Sequence, residues 1–245
     1  MGSLDGRTAI VTGASSGIGA EAVRALAAEG ADVVPTARRE DRIEALADEV
    51  AETHGVAARP IRTDVTDEGD VESLMAESVE TFGGIDVVVN NAGISRGSDT
   101  VEMATEAYRM MMAVNVDGVF FVTRAALPEL VETGGNLVFT GSFAGQYPRS
   151  FNPVYAASKW WVRGFAMSVA SQYGDDGLGV TVVNPSEVRT EFVGSDGRTF
   201  RERFEPGEVT EPAEVASAIA FAAGAGDSVP FEIDLYRRDK LADTF

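Results

Sequence analysis

Short, almost wholly apolar runs alternate along this chain with longer segments whose apolar residues recur every three or four positions. The runs are "RTAIVTG" (7–13), "ADVVPTA" (31–37), "VAARPIR" (56–62), "IDVVVNNAG" (85–93), "GNLVFTGS" (135–142), "GVTVVNP" (179–185) and "VPFEIDLY" (229–236). Their length, β-branched content and Gly, Asp or Pro borders predict strands. Helices are predicted between them: "IGAEAVRALAAEG", "EDRIEALADEVAETHG", "DEGDVESLMAESVETFG", Thr105 to Glu132, 153–174 and "EPAEVASAIAFAAG". Strands apolar on both faces and separated by helices imply a parallel sheet covered on both sides. No linker or low-complexity tract divides the chain, so the expectation is one doubly wound α/β domain over residues 1–245. Only residues 191–211, "EFVGSDGRTFRERFEPGEVTE", lack the strand–helix rhythm.

Composition narrows the chemistry. The chain has 245 residues, 44% of them hydrophobic and 24% charged, which suits a packed core. It has no cysteine, which excludes disulfides, thiolate catalysis and Cys-ligated zinc. The single histidine, His54, ends a helical stretch just before Gly55, where a partial positive charge is favoured. No metal site is expected. A net charge of −19 repels phosphate backbones and argues against nucleic acid or an anionic membrane as partner. Without a signal pattern, a myristoylation motif ("MGSLDG" has Gly6 where Ser or Thr is required) or an apolar run approaching 18 residues, a soluble cytoplasmic protein is expected. The acidity fits either an ordinary soluble enzyme or adaptation to a salt-rich cytosol. Of 20 basic residues only Lys159 and Lys240 are lysine, which favours the second.

Several motifs fall where strands end. "TGASSGIG" (Thr12–Gly19) joins the first strand to the first helix. Its Gly13, Gly17 and Gly19 allow a tight turn and close approach of backbone to a pyrophosphate, with Ser15, Ser16 and Ile18 at the helix N-terminus. The spacing is Gly-x3-Gly-x-Gly, not GxGxxG, and such a turn alone is weak evidence. The second strand ends "PTARRE", with Ala37 where NAD-binding folds place an acidic residue for the ribose 2′-hydroxyl. Arg38 and Arg39 follow, either as two solvated cations at a helix start, where they oppose its dipole, or with Arg38 as a 2′-phosphate clamp, which gives a reason for that cost and favours NADP. Asp64 and Val65 end the third strand, and Asn91, Ala92 and Gly93 the fourth, placed for adenine and adenosine contacts or simply as turn formers.

"NPVYAASKWW" carries the reactive pair. Asn152-Pro153 reads as an N-cap with Pro at N1, so Tyr155 falls in the first turn and Lys159 lies one turn later on the same face. Tyrosine titrates at about 10, and an adjacent ammonium with a positive helix end favours its phenolate. An amphipathic surface pair is the alternative. Ser142 ends the fifth strand and can bond a substrate oxygen or merely cap the strand. Asn115, polar in an apolar helix, is a bend device or part of a water relay.

In this order and spacing, "TGASSGIG", Asp64-Val65, "NNAG", Asn115, Ser142 and "YAASK" resemble the short-chain dehydrogenase/reductase family across essentially the whole chain. The resemblance implies a Rossmann-type domain and hydride transfer between NADP (NAD being the alternative) and an alcohol or carbonyl. It implies Tyr155 as general acid/base, Ser142 holding the substrate oxygen, Lys159 binding the nicotinamide ribose and lowering the Tyr155 pKa, and Asn115 holding a relay water. Pro185, Val188 and Thr190 would meet the nicotinamide end, although Pro185-Ser186 replaces the family's frequent Pro-Gly. The ending "FEIDLYRRDKLADTF" also lacks the common "DGG", which weakens analogy for substrate and assembly.

Phe143, Gln146, Tyr147, Phe151, Phe192, Phe200 and Phe204 are candidate substrate-facing residues or plain core. Glycines 194, 197 and 207 make 191–211 a candidate lid. A homodimer or homotetramer is expected through the two long apolar helices, with Trp160 or Trp161 between subunits. A non-catalytic NADP(H) sensor is the rival from another class.

Overall fold

The computed structural model describes residues 3–96, 99–194 and 197–241. Seven strands, β1 (Thr8–Thr12), β2 (Asp32–Ala37), β3 (Ile61–Arg62), β4 (Val87–Asn90), β5 (Asn136–Thr140), β6 (Gly179–Pro185) and β7 (Glu232–Leu235), form one sheet in the order β3-β2-β1-β4-β5-β6-β7. Every pairing is parallel. The chain winds outward from β1 in one direction and from β4 in the other. The crevice beyond the β1 and β4 ends is therefore the switch point where such sheets bind ligands.

The period of two along each strand explains why the strands look uniformly apolar. Ala9, Val11, Val33, Val87 and Val89 face one core, against Leu26 of α1 (Gly17–Ala28), Ile43 of α2 (Glu40–His54) and Ile219 of α8 (Pro212–Ala223). Ile10, Val34, Val88, Leu137 and Phe139 face the other. There they meet Leu74 of α3 (Glu68–Phe82), Leu130 of α5 (Val119–Thr133) and Val162 of α6 (Pro153–Tyr173). Both faces are covered, as the alternation predicts.

Three differences from the expected elements have local causes. The third strand shrinks to two residues plus a lone bridge between Val33 and Ala58; Pro60 between them has no N–H to give the ladder. The helix expected from Thr105 is interrupted by a π-turn over Ala113–Gly118, between α4 (Thr105–Met112) and α5. The merged stretch Thr105–Thr133 is long and apolar enough to cross a membrane, contrary to the expectation that no such run exists. Here its Met111, Val122 and Leu130 are buried against the sheet and neighbouring helices. Third, residues 191–211 do hold structure. Helix α7 (Phe200–Arg203) starts at a reciprocal Thr199–Glu202 capping box, and bridges join Val188 to Thr210 and Val193 to Thr199. A final turn, α9 (Arg238–Leu241), follows β7.

Candidate active site

A cavity of about 800 Å³ opens at the C-terminal strand ends, and its walls bring together nearly every residue expected to act. Gly13, Ser15, Ser16, Gly17, Ile18, Arg38, Arg39, Asp64, Val65, Asn91, Ala92 and Gly93 line one end. Ser142, Tyr155, Lys159, Pro185, Val188 and Thr190 line the rest. Gly19 and Asn115 stand behind the wall.

The first end is shaped by backbone that tolerates no side chain. Gly13 has φ 68°, and a Cβ there would lie 2.9 Å from the Ala92 Cα. At Gly19 a Cβ would lie 2.5 Å from both the Gly13 carbonyl oxygen and Asn91 Nδ2, so this glycine packs helix against turn. Thr12 Oγ1 donates to the Val89 carbonyl (3.2 Å) and accepts from Asn91 N and Ala92 N (both 3.0 Å), tying the β1 and β4 ends together. Asn91 Nδ2 adds a bond to the Thr12 carbonyl (2.9 Å). Ser16 precedes α1 but makes no side-chain cap bond, so the first-turn N–H groups of α1 face the cavity without a side-chain acceptor. A glycine cradle with open donors fits a dinucleotide pyrophosphate.

The two arginines after β2 both line the cavity and have different partners. Arg38, the expected clamp, is two-thirds exposed and sits 3.9 Å from Asp64 Oδ2. Arg39 reaches the glycine-rich turn: its guanidinium donates to Ser15 Oγ (2.8 and 2.9 Å) and Ser16 Oγ (2.8 Å). It also pairs with Glu191 (3.2 Å), as does Arg42 (3.0 Å), which holds the Glu191 carboxyl below its ordinary range against the effect of burial. Asp64 is both a turn former and a cavity residue, since its Oδ1 accepts from Thr66 N (3.1 Å) and Thr66 Oγ1 (2.8 Å).

At the other end, Pro153 starts α6 and places Tyr155 in its first turn. Asn152 does not cap with its side chain. Its Nδ2 donates to Ser95 Oγ (2.6 Å), and its buried Oδ1 has no partner among the described residues. Gly145, where a Cβ would fall 2.8 Å from the Lys159 carbonyl oxygen, lets the turn after Ser142 lie against α6. Lys159 is 7% exposed and donates from Nζ to the Thr140 carbonyl (2.8 Å), so the surface-pair reading fails. With burial and no carboxylate partner among the described residues, its pKa falls to about 8. Tyr155 still shows part of its surface to the cavity, yet the protein packed around it pushes its phenol up to about 12; the Ser142 hydroxyl and the Arg149 charge pull the other way. The expected downward shift from Lys159 is absent in this geometry. Nζ is directed at Thr140, 5.9 Å from the centre of the Tyr155 ring.

Asn115 sits in the π-turn and spends both amide hydrogens, donating to the Ile94 carbonyl (2.9 Å) and Ser158 Oγ (3.1 Å) while Oδ1 accepts from Ile94 N (2.9 Å). It joins the helix irregularity to the loop after β4. Among the substrate-facing candidates, Phe143, Phe151, Phe192, Phe200 and Phe204 line the cavity, whereas Gln146 and Tyr147 do not. Gln146 Nε2 donates to Asp234 (2.8 Å), and Tyr147 stacks on Phe143 with centroids 4.4 Å apart. Rings run in series from Tyr155 to Phe192 (5.6 Å), Phe200 (5.8 Å) and Phe204 (5.7 Å). The sequence reading missed Arg149, Arg203 and Glu191. A lone cation between Ser142 and Tyr155, in "QYPRSFNP", was a usable signal for the first.

The profile of the short chain dehydrogenase family matches residues 7–199. The chain is 33% identical over 224 residues to the meso-2,3-butanediol dehydrogenase of Serratia marcescens, covering 90% of this chain and 88% of that one. Among solved structures it resembles an alcohol dehydrogenase from the archaeon Thermococcus sibiricus, complexed with 5-hydroxy-NADP, at TM-score 0.86 and 30% identity over 94% of this chain and 96% of that one. It resembles the 3-ketoacyl-(acyl-carrier-protein) reductase of Brucella melitensis, complexed with NADH, at TM-score 0.85 and 27% identity over 95% and 97%. The chain belongs to the short-chain dehydrogenase/reductase family of oxidoreductases.

Proposed function

We propose that this protein reduces a carbonyl, or oxidises the corresponding alcohol, with NADP(H), NAD(H) being the alternative cofactor. The observation that carries the reading is the convergence of Ser142, Tyr155 and Lys159 in the same cavity as the glycine cradle and Arg39. A bound nicotinamide cofactor supplies the hydride. The protein supplies orientation and proton control. The Gly13–Gly19 turn holds the pyrophosphate against the α1 N-terminus, and Arg39, with Ser15, Ser16 and Arg38, receives the 2′-phosphate. Lys159 is anchored on Thr140 within reach of Gly93 and holds ribose hydroxyls. Ser142 fixes the substrate oxygen. In reduction Tyr155 gives that oxygen its proton; in oxidation its phenolate takes the proton back. A phenol held near 12 is ready for the first role at neutral pH, and oxidation should therefore accelerate with rising pH.

Replacing Tyr155 by Phe tests the reading: carbonyl reduction should fall by about 10²- to 10⁴-fold with NADPH binding retained. Unchanged turnover would remove Tyr155 from catalysis, whereas no turnover by the wild type with NADPH bound would leave a non-catalytic NADP(H) binder as the better account. A wild-type preference for NADH over NADPH would overturn the cofactor choice, and Arg39→Ala should narrow the NADPH preference more than Arg38→Ala.

Within the same reading, residues 191–211 close over the substrate as a lid of the single domain. The protein is cytoplasmic and pairs through the faces of α5 and α6, where Phe120, Trp160 and Met167 are exposed apolar side chains. A monomeric mass in molar salt would refute the pairing. The proposed salt adaptation predicts a higher melting temperature in molar KCl; equal stability at low salt would refute it.

A further inference from the structure

The chain as a whole carries a net charge of −19, yet its cavity is lined by five arginines and a lysine against only three carboxylates. At the cofactor end the charges are matched: Arg38 faces Asp64 and Arg39 faces Glu191. Arg96, Arg149 and Arg203, on the substrate side, have no carboxylate within ion-pair distance among the described residues. Glu187, the third carboxylate, is paired with none of them. Elsewhere Arg24, Arg42, Arg59, Arg62, Arg124 and Arg163 each face a carboxylate, whereas these three line the cavity.

Arg149 is the best placed of the three. Its guanidinium carbon lies 4.2 Å from the centre of the Phe143 ring and 6.0 Å from that of Phe151. Phe143 directly follows Ser142, and Tyr147 and Tyr236 pack around it with centroids at 4.4 and 5.3 Å. A guanidinium lying over a ring is held by a cation–π contact and can still offer its N–H groups to a planar, bidentate acceptor. Because the ring it lies over directly follows Ser142, the acceptor would lie close to the reacting carbon.

We infer that the substrate is an anionic oxo or hydroxy compound whose carboxylate or phosphate is bound by Arg149, with Arg96 and Arg203 at the cavity rim drawing it in. This rests on the carbonyl-reductase reading above and adds the substrate class to it.

The test is NADPH-dependent reduction of a matched set at fixed ionic strength: a 3-oxo acid, its methyl ester, and a phosphorylated hydroxyketone of similar length. Wild-type kcat/KM should favour at least one anionic member over the ester by about tenfold or more, and which one identifies the anion. Arg149→Gln should lower that value by about 10- to 100-fold, chiefly through KM, and leave the ester within about threefold. Arg149→Lys should recover part of the loss, and NADPH binding should be unchanged in both variants. An ester reduced as well as the acids by the wild type, or an equal loss on all three in Arg149→Gln, would overturn the inference while the reductase reading stands. No turnover of any member with NADPH bound would sink both.

Discussion

The two ends of the cavity are built on different principles. The cofactor end is made of sheet: strand termini, two glycines without room for a Cβ, and one threonine hydroxyl engaged three times. The substrate end sets the first turn of α6 among loops and a four-residue helix, and its contacts are aromatic rings 5 to 6 Å apart and arginines without a carboxylate partner among the described residues. Close-packed backbone has one solution, so the first end tolerates little change. Rings and long side chains have many, so the second end can be re-cut for a new substrate without touching the cradle.

Matched glycine substitutions put the sharpest strain on this contrast. Gly19→Ala drives a Cβ to 2.5 Å from the Gly13 carbonyl oxygen, which cannot retreat without moving β1 from β4. Stability should fall by about 1–3 kcal/mol, with NADPH affinity falling in parallel. Gly197, in the loop segment, has φ 79° and no atom of the described residues within 4 Å of where its Cβ would go. Gly197→Ala should cost only the left-handed backbone penalty of about 1 kcal/mol and leave NADPH affinity alone. Equal effects on NADPH binding would erase the distinction.

A pH titration of stability probes the boundary between the two ends, where Lys159 sits. Burial lowers its pKa from 10.5 to about 8 in the folded protein. Below pH 8 both folded and unfolded states hold the proton, and the folded state bears the full desolvation penalty. Between about 8 and 10.5 the unfolded state binds more protons, so this group makes stability rise with pH, by at most about 3 kcal/mol. Tyr155 works the other way above pH 10, since its folded pKa is raised to about 12. Urea midpoints from pH 7 to 10 should rise in the wild type relative to Lys159→Met. Parallel curves would mean that the ammonium is not desolvated.

The smallest expected effect lies where the loop segment touches the cofactor end, at Glu191. Its pairs with Arg39 and Arg42 are more than a third exposed, so Glu191→Gln should change stability by less than about 1 kcal/mol. If Glu191 competes with a phosphate for Arg39, the KM for NADPH should fall severalfold in this variant. A rise would show instead that Glu191 positions Arg39.

The same contrast sets what was legible in the sequence. Strand β6 runs over residues 179–185 as its apolar run predicts, and Gly13, Tyr155 and Lys159 meet in one cavity because strand ends and helix starts have few places to go. Where side chains choose among partners, residue types say less. Nothing in "PTARRE" tells that Arg39 donates to Ser15 and Ser16 while Arg38 faces Asp64. Asn152 bonds Ser95 across the cavity wall rather than its own helix. Pro60 cut β3 short by a missing donor that the apolar pattern does not register. Arg149 went unseen because an arginine without a partner is defined by what surrounds it in space.

The near absence of lysine, with one of the two copies lining the cavity, has a practical consequence. Amine-directed acylation of this chain has only Lys159 and Lys240 as side-chain targets, and Lys159, with its pKa near 8, becomes nucleophilic at mild pH. A mass increment on the peptide that holds Lys159 would report cavity occupancy directly. Screening candidate cofactors and substrates then needs neither a chromophore nor turnover, only protection of a single amine.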